Sequence, residues 1–285
     1  PPDPLAQTET WNGTNWTEVG DLNTARSNFA GAGTNTAALA FGGSPRPSVG
    51  TSTELWNGSS WTVVNALNTG RTSLGGNGTT TSALAFGGVP TDTGATESWN
   101  GTNWTEVADL NTGRKYLAGA GVTNTAALAF GGENSGTPVI ALTETWNGSN
   151  WTEVGDLNTA RQKLAGTGTN TAALAIGGDQ GAQTELWNGT NWTEVNDLNT
   201  SRRELAAAGI STAALAFGGG PNSSNSTETW NGTNWTEVGD LGTGRIGLAG
   251  AGTNTVALAF GGNVTPTALT EEWNDGPQVK TIDTD

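Results

Sequence analysis

Residues 11–43 read WNGTNWTEVGDLNTARSNFAGAGTNTAALAFGG, and close copies of this unit fill the rest of the chain. The phrase W-N-G-x-x-W recurs at Trp11, Trp56, Trp99, Trp146, Trp187 and Trp230, and Trp273 opens an incomplete seventh copy. A second phrase, A-L-A-[FI]-G-G, ends at Gly43, Gly88, Gly132, Gly178, Gly219 and Gly262. From first Trp to second Gly the distance is 32 residues in every copy but the third, where it is 33. From that Gly to the next Trp it is 13, 11, 14, 9, 11 and 11. One part of the unit is therefore fixed in length and the other is free. Repeats of this size are the mark of solenoids and propellers.

Each unit reads as four short strands, a to d. In one copy these are Leu74–Asn77, Ser82–Phe86, Thr96–Trp99 and Trp104–Val107. Between c and d lies N-G-T-N, an Asn-Gly hairpin signal, so its Asn-Gly-Thr triplets read as turn chemistry rather than as glycosylation sites. Strand a is nearly all Gly and Ala, as in residues 30–33, which suits strands crowded around an axis. The Trp pair falls on c and d, further out, where neighbouring sheets leave room for large rings. The expectation is an all-β, six-bladed propeller with four antiparallel strands per blade, spanning residues 1–285 as a single domain. The N-terminal strands, Thr8–Trp11 and Trp16–Val19, are expected to close the ring on the blade begun by residues 248–262. Residues 277–285 are then a C-terminal tail or an extra strand. The alternative takes strand c from the C-terminal copy, Thr270–Trp273, and only strand d from the N-terminus.

The succession of Arg, a small-residue strand, an apolar strand ending Gly-Gly, then E-x-aromatic and a Trp resembles the kelch repeat, and it covers essentially the whole chain. Two features depart from it: Trp stands where kelch strands c end in Tyr, and the c–d link has only four residues. The wording WNGTNWTEVGDLNTAR also resembles repeat arrays of bacteriophage virion proteins, especially of marine phages. The first resemblance implies ligand binding through the d–a connections and b–c loops. The second implies a virion or extracellular surface and a larger assembly.

Antiparallel strands reverse at every turn, so the a–b and c–d turns share one face and the b–c and d–a segments share the other. The a–b and c–d turns scarcely change between copies. The b–c loops change in length and wording: compare residues 44–52 with 179–183. After L-N-T-x-R (L-G-T-x-R in the last copy) two residues differ in every copy: Ser27-Asn28, Thr72-Ser73, Lys115-Tyr116, Gln162-Lys163, Arg203-Glu204 and Ile246-Gly247. Diversified residues on a rigid scaffold describe a recognition surface. These twelve, with Arg46 on a b–c loop, are the expected ligand-binding set. Lys115, Lys163, Arg203 and Arg46 there would favour an anionic ligand such as an acidic polysaccharide, but Asp92, Glu133, Asp179 and Glu204 lie on the same face and oppose it.

The repeat arginines Arg26, Arg71, Arg114, Arg161, Arg202 and Arg245 are expected to be structural, because every copy has one. A buried Arg needs a carboxylate, and the strand c glutamates Glu9, Glu54, Glu97, Glu144, Glu185, Glu228 and Glu271 are the candidate partners, in contacts between blades. The thirteen Trp residues are expected to pack rather than to stack on sugars.

Composition excludes several functions. The chain has no His, no Cys and a net charge of −15. Thiolate metal sites, a Cys nucleophile and the usual general base are absent, and the basic stripe that nucleic acid requires is missing. No apolar run approaches a membrane span. A copper-oxidase propeller would need His ligands, and a sialidase an arginine cluster outside the framework. The expectation is no cofactor, no metal, no catalytic residue and no enzyme, with carboxylate-only glycosidase chemistry as the remaining enzymatic alternative. The favoured reading is an adhesin for a host glycan or surface protein. A virion propeller without a ligand is the alternative.

Overall fold

The computed structural model describes residues 4–44, 50–90 and 92–264. In chain order the strands are β1 (Thr8–Trp11), β2 (Trp16–Glu18), β3 (Ala30–Gly33), β4 (Ala38–Phe41), β5 (Thr53–Trp56) and β6 (Trp61–Val64). They continue as β7 (Gly75–Thr79), β8 (Ser82–Phe86), β9 (Thr96–Trp99), β10 (Trp104–Val107), β11 (Ala118–Thr123) and β12 (Ala126–Phe130). Next come β13 (Thr143–Trp146), β14 (Trp151–Glu153), β15 (Ala165–Gly168), β16 (Ala173–Ile176), β17 (Thr184–Trp187) and β18 (Trp192–Val195). The last are β19 (Ala206–Ile210), β20 (Ala213–Phe217), β21 (Thr227–Trp230), β22 (Trp235–Glu237), β23 (Ala249–Gly252) and β24 (Ala257–Phe260). They form six antiparallel sheets of four. Five use consecutive strands, and the sixth has the order β2-β1-β24-β23. The N-terminal hairpin thus completes the last blade, with Glu9 opposite Ala259 and Trp11 opposite Ala257. The protein is a six-bladed propeller. The Thr270–Trp273 copy and the tail lie outside the described residues.

Strand a is the inner edge of each blade. It begins one residue later than the sequence suggests: Leu74 packs in the core between blades, and β7 runs from Gly75 to Thr79. The four residues of strand b that precede Gly-Gly are fully buried in every blade. Leu39 and Phe41 belong to one interblade core with Leu74 and Trp104, while Ala38 and Ala40 face the core on the other side. This two-sided burial explains the unbroken apolar run.

The two Trp residues of each unit do different work. Their rings meet across the hairpin at 5.3–5.5 Å between centroids. The strand c indole stays within its blade, as where Trp56 Nε1 donates to Asn35 O at 3.0 Å. The strand d indole reaches the preceding blade. Trp61 donates to Thr8 Oγ1 at 3.0 Å, Trp104 to Thr53, Trp151 to Thr96, Trp192 to Thr143, Trp235 to Thr184 and Trp16 to Thr227. Six hydrogen bonds of one kind therefore run round the ring and close it. Trp104→Phe keeps most of the packing but strands Thr53 Oγ1. It should cost about 1–3 kcal/mol, read as a lower Tm with unchanged secondary structure.

Candidate functional site

The six arginines lie in the connections that lead into a blade, and each meets the strand c glutamate of the blade it enters. The pairs are Arg26–Glu54 at 2.6 Å, Arg71–Glu97 at 3.1 Å, Arg114–Glu144 at 3.3 Å, Arg161–Glu185 at 3.1 Å, Arg202–Glu228 at 2.7 Å and Arg245–Glu9 at 2.8 Å. All twelve side chains are buried. The contact ties a connector to the next blade rather than one strand to a neighbouring blade's strand. Burial pulls each guanidinium pKa down from its usual value, and the facing glutamate opposes that shift. Glu54 also accepts Asn23 N at 2.7 Å and Thr24 N at 3.2 Å. The constant L-N-T-x-R segment is thus a folded cradle for one carboxylate.

That cradle delivers the variable pair to the axis. The second residue of every pair has positive φ: Asn28 at 52°, Ser73 at 57°, Tyr116 at 53°, Lys163 at 59°, Glu204 at 53° and Gly247 at 61°. Five of the six are not glycine, so the conformation is imposed from outside the residue. A closed circle of backbone hydrogen bonds imposes it. Ser73 N donates to Asn28 O at 2.7 Å, Tyr116 N to Ser73 O at 2.9 Å, and Lys163 N to Tyr116 O at 2.9 Å. Glu204 N donates to Lys163 O at 2.7 Å, Gly247 N to Glu204 O at 2.9 Å, and Asn28 N to Gly247 O at 2.8 Å. All six links run from backbone to backbone, and the Thr72 hydroxyl adds a bond to Asn28 O at 3.0 Å. The sequence shows that these positions vary but gives no sign of this ring.

The ring frames the mouth of the axial channel, a cavity of about 90 Å³ lined by these six residues and by Phe29 and its five Leu counterparts. The mouth is lopsided. On one side Lys163 Nζ sits 4.8 Å from the Tyr116 ring centroid and 2.7 Å from Glu204 Oε1. On the other side Gly247, Asn28 and Ser73 are short.

The first residue of each pair lies beside a b–c loop. Ser27 pairs with Ser44, Thr72 with Val89, Lys115 with Glu133, Arg203 with Gly220 and Ile246 with Asn263, while Gln162 N donates to Asp179 Oδ1. The structure therefore brings the diversified pairs and the free-length loops together on one face. Arg46 lies outside the described residues.

Charge at this face is largely paired. Lys115 Nζ is 3.1 Å from Asp92 and 3.3 Å from Glu133, and Lys163 is paired with Glu204. Asp92 also accepts a hydrogen bond from Ser135. That bond, helped by Lys115, holds the Asp92 carboxyl below its usual pKa. Neither lysine presents a free charge, and Arg203 is the exposed cation that remains among the described residues. Among the described residues no group of three or more Asp or Glu is placed to hold a metal ion.

No protein-family model and no curated protein sequence matches this chain. Its fold does match solved structures. The structure titled "Structure of YjhT" superposes with a TM-score of 0.70 over 87% of this chain and 94% of that one, at 14% identity. At that identity the likeness is one of fold, and it places this chain among the propellers.

Proposed function

We propose that this propeller is a non-enzymatic recognition module, and that it binds its target at the channel mouth and the surrounding b–c loops. One observation carries the reading: the six links that fix the second residues all run from backbone to backbone. Side chains there can change freely while the platform stays the same. Two-zone variation of this kind serves a binding surface, much as loops on a constant scaffold do. The buried carboxylates are already taken by arginines, which leaves little for carboxylate chemistry. The target class is a host glycan or surface protein. The kelch-like repeat and its phage-like wording support a place on a virion or cell surface, within a larger assembly.

The internal pairing of Lys115 and Lys163 favours a second reading, a structural propeller of the virion with no ligand. One experiment separates the two. All six pairs are reset to Ser-Gly, since glycine suits the positive φ at the second position. Native and reset chains are applied to a glycan array and to a panel of marine bacterial cells. The recognition reading expects a defined target for the native chain, and for the reset chain a retained fold with binding lost. Equal binding by both, or binding by neither, overturns it in favour of the structural propeller.

A further inference from the structure

Strand β1 fills a gap between β24 and β2, and the gap's contacts specify a short motif. Thr8 Oγ1 accepts from Trp61 at 3.0 Å. Glu9 meets Arg245 at 2.8 Å and accepts Gly242 N at 2.7 Å. Trp11 Nε1 donates to Asn254 O at 3.2 Å. The residue before Thr8, Gln7, contributes its carbonyl, to Arg245 at 2.7 Å and to Gly261 N at 2.9 Å. Thr10 is half-exposed, and its counterparts in other blades are Leu55, Ser98, Thr145, Leu186 and Thr229. The gap therefore reads T-E-x-W, with Thr, Ser or Leu at the half-exposed x.

Beyond the six strand c copies, the motif occurs a seventh time. Residues 268–273 are A-L-T-E-E-W, against A-L-T-E-T-W at 141–146, where Thr143–Trp146 is strand c of a blade built without interruption. From Gly262 to Trp273 is 11 residues, as from Gly88 to Trp99 and from Gly219 to Trp230. By the repeat's own spacing, the C-terminal copy can enter the last blade directly from β24.

We propose that the gap beside β24 is a strand-acceptor site with two claimants in the same chain, β1 and residues 270–273. The second replaces the first without opening the ring. Thr270, Glu271 and Trp273 would take over from Thr8, Glu9 and Trp11, and β2 would stay, because residues 278–281 read Q-V-K-T where strand d reads W-T-E-V. The N-terminal strand, once released, carries the motif that fits the same gap of a second copy. Strand addition of this kind draws its affinity from main-chain hydrogen bonds and its choice of partner from side-chain pockets.

Three truncated chains test the site by thermal unfolding: one beginning at Gly13, one ending at Val264, and one with both ends removed. The expected result is a Tm within about 4 °C of the full chain for either single truncation, and a fall of about 10 °C or more for the double. A chain beginning at Gly13 that falls as far as the double overturns the proposal. So does one that stays folded only as a dimer, which would mean that the strand arrives from a second copy. Point variants give an independent reading. Glu9→Ala should lower Tm by less than half the drop of Glu54→Ala, because Glu271 can take over at Arg245. Adding Glu271→Ala should restore the full drop, whereas Glu271→Ala alone should change nothing. Equal drops for Glu9→Ala and Glu54→Ala, with no further effect of Glu271→Ala, would show that the second claimant never enters. None of these measurements depends on a ligand at the channel mouth.

Discussion

Glu54→Ala is expected to destabilise the protein by about 3–5 kcal/mol, the range for breaking a buried ion pair from one side. The loss leaves the Arg26 charge buried with only two carbonyls near its Nη1, Gly42 O at 3.1 Å and Ser52 O at 2.7 Å. It also strands the Asn23 and Thr24 amides that Glu54 accepts. The same change in the next blade, Glu97→Ala, should cost less. Arg71 still feels Asp109 and Glu106, whereas among the described residues Glu54 is the one carboxylate acting on Arg26. The reason is in the sequence: strand d reads W-T-E-V in five copies but W-T-V-V at residues 61–64, and Ala66 replaces the Asp found at 109. Melting both variants by calorimetry decides the matter, and equal losses would mean that the strand d acids contribute nothing. Replacing the pair together, Arg26→Met with Glu54→Leu, should cost less than Glu54→Ala alone, because no charge is then left unpaired.

The framework was legible in the sequence because repetition supplied six independent readings of each position. Periodic Trp, the Gly-Gly pair and the Asn-Gly turn gave strand count, strand order and the face on which variation falls. The Arg–Glu pairing could be argued from copy number alone. Its geometry could not: the glutamate belongs to the blade that the connector enters, and only the path of the L-N-T-x-R segment shows this. The αL ring was equally out of reach. Positive φ at Tyr116 or Lys163 contradicts local preference, and the force that imposes it is a hydrogen bond to a residue more than forty positions away.

A second feature was hidden for the opposite reason, because it breaks the repeat. The extra residue of the third copy distorts the β11–β12 register between Ala120 and Thr123. The displaced turn leans on the preceding blade. Asn124 Nδ2 donates to Ser98 Oγ at 2.9 Å, Ser82 Oγ donates to Asn124 Oδ1 at 2.7 Å, and Asn77 Nδ2 reaches Thr123 O at 3.2 Å. Asn77, Ser82 and Ser98 look like small edits in the sequence. In the structure they form one accommodation of one insertion.

Ile176→Phe should likewise show that an apparent edit belongs to a pair. Strand b ends in Phe in every copy but the fourth, where Ile176 stands, and the facing position on the next inner strand is Gly in every copy but the one bearing Ala207. The glycines are needed for space. A β-carbon at Gly31 would lie 2.7 Å from Phe260 Cζ, and one at Gly76, Gly119, Gly166 or Gly250 would lie 2.6 Å from its phenylalanine. Ile is shorter and leaves room for the Ala207 methyl, which packs against the same core. Phe at 176 would therefore strike Ala207, and overpacking of a tight core costs about 1–3 kcal/mol. Ala207→Gly alone should cost about 0.5–1 kcal/mol through backbone entropy. Together they should return stability close to that of the native chain, giving a coupling of about 1–3 kcal/mol in a double-mutant cycle. The restored ring would meet Trp235 as Phe130 meets Trp192, at 4.8 Å between centroids. If Ala207→Gly leaves the Ile176→Phe loss unchanged, the obstruction lies on the Trp235 side and the pairing of these two positions is coincidental.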